Sequence, residues 1–309
     1  MSYYSKLITT LLLLASVQAF AAENKVTAED ILAHHLDSIA DAKTRAAMKS
    51  RVVEGTAAYR ILVGGSGEAN GKSVMVSDGD KFLIQLKVNT QQYNGEQFTT
   101  NGNKTFVAGT YQDKSRSEFG TFLRSEDLPL REGLLGGVLT TDWSLLDLSG
   151  RKAKLQFDGL KNVDGTQLYA VKYRPKKNTD MDVTLFFDPE TYRHVLTIYT
   201  ANVNVGLGQS GQADVLAAPP EVASNAKGGG FNPQDGADVN SARQQVTRYR
   251  VEERFSDFKT TDGVTLPSHY DLRFQEELPR GFTKTVDWNI TTTRVLNNVT
   301  IDERNFTIH

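Results

Sequence analysis

Cysteine is absent from the 309 residues of this chain. That absence excludes a disulfide framework, a thiol nucleophile and a lipid-bearing cysteine behind an export signal. Charge of one sign is not in excess either, because 35 basic and 37 acidic residues leave a formal net charge of −2. Such a chain has no overall field that would attract nucleic acid or an anionic membrane. We therefore expect no nucleic-acid partner and at most transient membrane contact.

Histidine is scarce, with five residues in the whole chain. A catalytic triad or a zinc site would require distant residues to converge, and no spacing indicates one. Residues 65–73 resemble a phosphate-binding loop, but Ser66 stands where the motif needs its first glycine. The carboxylates of Asp188 and Glu190 flank a proline and fit a turn better than a catalytic pair. We expect no catalytic residue, no metal and no cofactor, with an enzyme lacking a known motif as the remaining alternative.

Long hydrophobic runs are also missing, apart from one near the start of the chain. Residues 7–17 are mainly apolar, follow Lys6, and precede the small-x-small sequence at residues 19–21. This pattern predicts a signal peptide over residues 1–21, since the run is well short of the roughly 20 residues that cross a bilayer. The alternative is an uncleaved anchor. We expect residues 22–309 to form a single domain in the periplasm, or outside the cell.

The apolar residues that are present follow a period of two over most of the chain. In residues 251–274, apolar and polar side chains alternate on both sides of the turn dipeptide Asp262-Gly263. The same pattern places Phe82, Ile84 and Leu86 on one face of a strand. Repeated hairpins of this kind predict an antiparallel sheet of about eleven strands with one buried face.

Helical spacing occurs at the amino terminus and again in one internal stretch. Thr27 fits a helix cap, and Ile31, Leu36 and Ile39 then recur on one helical face. His35 lies on that face, where a packed, hydrogen-bonded histidine is more common than a metal ligand.

The internal stretch, residues 116–147, carries apolar clusters at helical spacing and interrupts the strands. Pro129 fits a first helical position, and Thr141 fits the cap of a short helix that contains Trp143. Two interpretations stay open for these helices. They are either a plug that completes the core or a lid that moves.

Residues 206–241 have a different composition, dominated by glycine, alanine, proline, asparagine and serine. They show no apolar periodicity and predict a long flexible loop between two strands. Loops of this length are either functional or tolerated insertions. The composition favours a tolerated insertion.

Two sequence phrases strengthen this pattern. They are F-F-D-P-E-T-Y-R-H-V at residues 186–195 and F-S-D-F-K-T-T-D-G-V-T-L-P at residues 255–267. With the order of helix, sheet and inserted helices, the chain resembles the periplasmic lipoprotein-carrier superfamily, which includes LolA, LolB, the RseB amino-terminal domain and LppX-like lipid carriers. The resemblance implies a mainly β fold with α, in which a curved antiparallel sheet forms an incomplete β-barrel capped by short apolar helices. It also implies that acyl chains are held between the sheet and the helices.

The function expected from these features is a monomeric periplasmic carrier that binds lipid or lipoprotein acyl chains without covalent chemistry. The alternative is a protein-interaction or envelope-sensor module on the same fold, with a core filled by its own side chains and an envelope protein as its partner. The predicted ligand-binding residues face each other across the space between sheet and helices. They are Phe82, Ile84, Leu86, Phe119, Phe122, Leu134, Leu135 and Trp143.

Overall fold

The computed structural model describes residues 26–88, 93, 95–109, 117–177, 179–205 and 245–307. The predicted signal peptide at residues 1–21 and the whole of the predicted loop at residues 206–241 lie outside these described residues. Within the described part, no helix is long and apolar enough to span a bilayer.

One antiparallel sheet of twelve strands dominates the fold. The first five strands are β1 Ser50–Val63, β2 Gly67–Asp78, β3 Lys81–Val88, β4 Glu96–Asn101 and β5 Thr105–Gly109. The others are β6 Lys154–Val163, β7 Thr166–Arg174, β8 Met181–Phe187, β9 His194–Val205, β10 Gln245–Thr261, β11 Val264–Glu277 and β12 Thr283–Asn297. The structure confirms the predicted fold class and places one strand more than the count given by the sequence pattern.

The strand order is β5-β4-β3-β2-β1-β12-β11-β10-β9-β8-β7-β6. The sheet is therefore two meanders joined through β1 and β12, the first and last strands of the described chain. Their register pairs Val53 with Val295 and Ala57 with Ile290. The described strands do not close into a barrel, because β5 and β6 remain as the two edges.

Turn chemistry fixes the hairpins as the sequence predicts. Asp262 and Gly263 both have positive φ, at 51° and 76°, which is the backbone that a two-residue hairpin turn requires. In the turn before β9, a carboxylate oxygen of Asp188 accepts the backbone N–H groups of Glu190 and Thr191. The predicted turn role of this carboxylate is therefore confirmed.

Five α-helices accompany the sheet in the described residues: α1 Ala28–Ile39, α2 Ala42–Ala47, α3 Glu118–Ser125, α4 Leu128–Arg131 and α5 Leu148–Arg151. Short 3-10 turns occupy Gly137–Leu139, Ser144–Asp147, Pro279–Gly281 and Glu303–Phe306. The Thr27 hydroxyl accepts the N–H of Asp30, and the Asp30 carboxylate accepts the N–H of Thr27. This reciprocal pair confirms the predicted cap of α1.

We call residues 118–151 the helical insertion, because they connect the two edge strands through α3, α4, two 3-10 turns and α5. Two predicted details of it were wrong. Pro129 is the second residue of α4 and not the first. Thr141 does not cap a helix; its backbone N–H donates to the hydroxyl of Ser77 on β2, which fixes the segment to the sheet.

The main core lies between one face of the sheet and the helical insertion, with α1 at one end. Phe82, Ile84 and Leu86 point into it from β3, as the alternation predicts. The opposite face of the sheet carries smaller clusters, one of them formed by Val76, Leu83 and Phe306. The insertion therefore covers the apolar face on which the function was predicted to depend.

The ends of β9 and β10 allow a direct prediction about the segment between them. Val205 pairs with Gln245 across the two strands, so the segment leaves and rejoins the sheet at neighbouring positions. We expect that replacing residues 209–240 with a short Gly/Ser linker leaves the melting temperature within a few degrees, because adjacent strand ends need only a short connection. Differential scanning calorimetry measures this. A large loss of stability would mean that the segment packs on the domain.

Candidate functional site

Aromatic side chains of the helical insertion are in direct contact with aromatic side chains of the sheet. The ring of Phe119 on α3 lies 5.3 Å from the ring of Phe98 and 5.5 Å from that of Trp288. The ring of Phe122 lies 4.9 Å from the ring of Tyr249. These are ordinary distances for packed aromatic pairs. Side chains fill the space between sheet and insertion at these positions.

The eight predicted ligand-binding residues come together in one core cluster. Each exposes between 0% and 3% of its surface: Phe82 0%, Ile84 2%, Leu86 1%, Phe119 0%, Phe122 3%, Leu134 0%, Leu135 1% and Trp143 1%. Three come from β3 and five from the insertion, so the predicted pairing of sheet with helices is present. Their role in ligand binding stays a prediction.

Glu253 on β10 is a carboxylate within this core, and it exposes 0% of its surface. One carboxylate oxygen accepts the backbone N–H of Gly136 in the insertion at 2.7 Å and the hydroxyl of Tyr270 at 2.8 Å. The other oxygen accepts the hydroxyl of Tyr199. Burial raises the pKa of Glu253 from 4.5 to about 7, against the opposing effect of these donors. Glu253 thus ties the insertion to the sheet.

Glu96 on β4 makes a similar connection at the start of α3. Its carboxylate accepts both the backbone N–H and the hydroxyl of Ser117, each at 2.7 Å. Burial raises its pKa to about 7. The carboxylate lies so close to the first turn of α3 that a Cβ on Gly120 would be 2.0 Å from one of its oxygens. Position 120 therefore requires glycine, because any side chain there would collide with the carboxylate of Glu96.

Arg51 on β1 supplies a third connection, with the opposite charge. Its Nη1 donates to the backbone carbonyl of Val138 in the insertion at 2.6 Å, and its Nε donates to the side-chain oxygen of Asn297 at 2.9 Å. Arg51 exposes 4% of its surface, and burial lowers its pKa to about 10. Within the described ranges it has no carboxylate partner.

Two buried histidines lie where the insertion meets α1. The indole N–H of Trp143 donates to Nε2 of His35, so Nδ1 of His35 carries the proton and donates to the carbonyl of Tyr192. Burial lowers the pKa of His35 to about 4. The prediction of a packed, hydrogen-bonded histidine is confirmed. His194 stacks on Trp143 and bonds Thr197 through Nε2, while its Nδ1 has no partner among the described residues.

Sequence reasoning missed Glu96, Glu253 and Arg51, although the strand patterns contain a signal for each. Glu253 stands two residues from Val251 and from Phe255, on the same apolar face. Arg51 shares its face with Val53, and Glu96 shares its face with Phe98. A charged residue at a core-facing strand position is costly unless it is hydrogen-bonded. Each break in the alternation therefore indicated a buried polar contact.

A cavity of about 230 Å³ lies beside this core, where α1 and α2 approach the insertion and the start of β11. Trp143 is the one predicted ligand-binding residue that lines it. The complete lining is Leu36, Ile39, Ala40, Arg45, Ala46, Met48, Arg51, Val138, Thr141, Trp143, Leu146 and Val264. Nine of these twelve residues are apolar, and both charged residues among them are arginines.

A second cavity, of about 440 Å³, adjoins the first through Thr141, Trp143 and Leu146. Charges of both signs line it, and Arg151 forms an ion pair with Asp142 there. Burial raises the pKa of Asp142 to about 7 despite that pair. Across the described part of the chain, no group of three or more metal-ligating side chains occurs.

Comparison with known proteins gives similarities of structure but none of sequence. No family model matches the chain, and no curated protein matches it. A DUF1329 family protein from Desulfovibrio piger is similar over 90% of this chain and 96% of its own, with 14% identity and a TM-score of 0.44. A protein from Vibrio parahaemolyticus, described as an outer membrane lipoprotein-sorting protein domain, is similar over 89% and 95%, with 9% identity and a TM-score of 0.44.

MucB from Pseudomonas aeruginosa, solved as a complex with MucA, is similar over 88% of this chain and 100% of its own. The identity is 10% and the TM-score 0.24.

Proposed function

We propose that the protein is a binding protein of the bacterial envelope that holds acyl chains of a lipid or lipoprotein between its sheet and its helical insertion. It performs no covalent chemistry. The observation that supports this function is the way the insertion is attached. Three buried side chains of the sheet, Arg51, Glu96 and Glu253, bond to backbone groups of the insertion or its cap. Further polar contacts with the sheet are made by Glu118, Glu132, Thr141 and Ser144, and the rest of the contact is apolar packing.

Such an attachment allows the insertion to separate from the sheet as a unit. Separation breaks these hydrogen bonds and the ion pair between Glu118 and Lys284, and it exposes the apolar residues on both surfaces to water. An acyl chain that enters the gap covers this surface again, and each buried CH₂ contributes about 0.8 kcal/mol. The ligand thereby stabilises an open state that is sparsely populated without it.

The expected location follows from the predicted signal peptide, which directs residues 22–309 to the periplasm. In that compartment, a carrier shields acyl chains from water while they pass between membranes. An envelope protein that delivers or receives the ligand is the partner we expect.

A second candidate function is a protein-interaction or sensor module whose core stays closed. The direct ring contacts favour it, because Phe119 and Trp288 already fill the space at 5.5 Å without a ligand. In this case the insertion is a permanent part of the core, and partner recognition occurs on the outer surface.

Native mass spectrometry of protein purified from its own host separates the two functions. The carrier is expected to show bound lipid as discrete added mass, and the delipidated protein is expected to bind fatty-acyl probes or lipidated peptides. If the native protein carries no lipid and the delipidated protein binds neither kind of probe, the carrier function is wrong and the interaction module remains.

A further inference from the structure

The cavity of about 230 Å³ beside α1 and α2 is lined by nine apolar residues, one threonine and two arginines. Arg45 and Arg51 line it, and no acidic residue does. The nearest partner of Arg45 is Asp37, whose side chain is 70% exposed and bonds from the solvent side. The aspartates Asp80, Asp142 and Asp147 line the neighbouring cavity instead, where Asp142 is paired with Arg151. Of the two arginines at the smaller cavity, Arg45 is therefore paired with an exposed aspartate, and Arg51 has no acidic partner among the described residues.

Arg51 still has hydrogen-bonding capacity after its protein contacts are made. It donates from Nε and Nη1, which leaves Nη2 without a partner in the described structure. Among the described residues, a single side-chain nitrogen or oxygen is both fully enclosed and without a partner, and it is Nδ1 of His194. Nη2 of Arg51 has no partner either, so it cannot be fully enclosed. Nη2 of Arg51 therefore reaches solvent-accessible space. Because the residue exposes 4% of its surface and lines the cavity, we take this space to be the cavity.

Arg45 retains donors in the same way. Its hydrogen bonds to the carbonyls of Leu36 and Ala40 and to Asp37 all come from Nη1. Nε and Nη2 remain available, since a guanidinium carries five N–H donors. Two arginines with free donors at one cavity fit a carboxylate, which accepts hydrogen bonds at both of its oxygens.

We propose that this cavity binds a small monocarboxylate with a short apolar body, with its carboxylate at Arg51 and Arg45 and its hydrocarbon against Leu36, Met48, Trp143 and Leu146. The site is distinct from the acyl site proposed above. It is present while the insertion is closed, so it does not depend on the proposed function.

The volume limits the size of the apolar body. A protein cavity of about 150 Å³ accepts benzene, so a cavity of 230 Å³ holds about nine non-hydrogen atoms on the same scale. Octanoate has about ten non-hydrogen atoms, so its carboxylate fits inside the cavity and its last carbon extends towards Leu146 at the mouth. Leu146 is 40% exposed, which allows the chain end to leave the cavity there.

Isothermal titration calorimetry of the delipidated protein tests this site with defined probes. We expect octanoate to bind with a dissociation constant of about 0.1 mM. Octan-1-ol and octyltrimethylammonium keep the hydrocarbon but lose the negative charge, and we expect both to bind at least ~10-fold more weakly. N-acetylleucine and its amide, which are close to octanoate in size, show whether the carboxylate of a peptide end is accepted. If the probe with a free carboxylate binds and its amide does not, the carboxyl end of a peptide chain is also a possible ligand of this site.

Two matched variants locate the site. Leu146→Glu replaces the apolar side chain beside the end of the hydrocarbon with a carboxylate, and it is expected to weaken octanoate binding by at least ~10-fold because the chain end then meets a charged group. Leu160→Glu introduces the same change at a 55% exposed leucine on β6 that does not line the cavity, and binding is expected to stay unchanged. Both sites are exposed, so both variants should fold.

Three results would overturn the proposal: octan-1-ol binding as tightly as octanoate, neither carboxylate probe binding below ~1 mM, or Leu146→Glu binding octanoate like the parent protein. If Leu134→Glu loses octanoate binding and Leu146→Glu does not, octanoate binds in the core and not in the cavity. Failure of lipid binding with octanoate binding intact would reject the carrier function alone.

Discussion

Leu134→Glu is expected to abolish binding of acyl probes while the protein remains folded, whereas Ile84→Glu is expected to prevent folding. Both leave a carboxylate against hydrocarbon, at a cost of several kcal/mol unless it protonates or reaches water. Leu134 is fully buried and lies in the insertion between α4 and a 3-10 turn, so the insertion can move outward to expose it. Ile84 lies on β3, paired with Met75 on one side and Phe98 on the other, and cannot leave.

Circular dichroism, thermal unfolding and acyl-probe fluorescence measure the two effects separately. Leu134→Met is the matched control, because it keeps an apolar side chain of similar volume and should preserve both folding and binding. If Leu134→Glu unfolds the protein as completely as Ile84→Glu does, the insertion is ordinary core and does not move. If it folds and binds probes like the parent protein, the predicted acyl site is in the wrong place.

Glu253→Gln is expected to become progressively more stable than the parent protein as the pH rises from 4.5 to 7. The folded-state pKa of Glu253 is about 7 and its ordinary value is 4.5, so the folded protein keeps a proton that the unfolded chain releases between these pH values. The parent protein therefore loses stability as the pH rises through this window and loses no more above it. The difference between the two proteins should reach about 3 kcal/mol.

Denaturant unfolding at several pH values from 4 to 9 measures this difference. The contributions of Glu96, His35 and other titrating groups are common to both proteins and cancel in the comparison. Glu252→Gln is the matched control on the same strand. Partial burial opposes ionisation of Glu252, but its ion pairs with Arg250 and Arg254 outweigh burial and lower its pKa. The stabilisation from Glu252 is therefore lost as the pH falls. Its pH dependence has the opposite sign to that of Glu253.

Glu253→Leu is expected to be less stable than Glu253→Gln by an amount that does not change with pH, because neither side chain titrates. That change leaves the N–H of Gly136 and the hydroxyls of Tyr199 and Tyr270 without their acceptor, at about 3–5 kcal/mol in total. A Glu253→Gln protein whose stability runs parallel to that of the parent protein at every pH would show that Glu253 does not titrate in this window.

The sequence predicted the sheet well because the alternation of side chains is a local property. The hairpin at residues 251–274 appears as β10 and β11, and the strand containing Phe82, Ile84 and Leu86 appears as β3 with these residues in the core. Caps and turns were predictable for the same reason, since Thr27 and Asp262 act on residues next to them in the chain.

The polar contacts of the core were not predictable, because they join residues that are far apart in sequence. Glu253 meets Gly136, and Arg51 meets Val138, only after the insertion has been laid on the sheet. The sequence shows that each charged residue breaks an apolar face, but not which backbone group it satisfies. The small cavity was missed for a similar reason, because α1, α2, the insertion and β11 each contribute part of its wall.

The pairing of β1 with β12 also determines when the molecule can finish folding. These strands meet at positions such as Val53 and Val295, roughly 240 residues apart in sequence. Each meander can form its hairpins early, but β1 keeps one unpaired edge until the last strand arrives, and so does β11. A chain that is synthesised from its amino terminus therefore carries an open strand edge until β12 has been made, and chains aggregate at such edges. Loss of the final strand would make that vulnerable intermediate permanent.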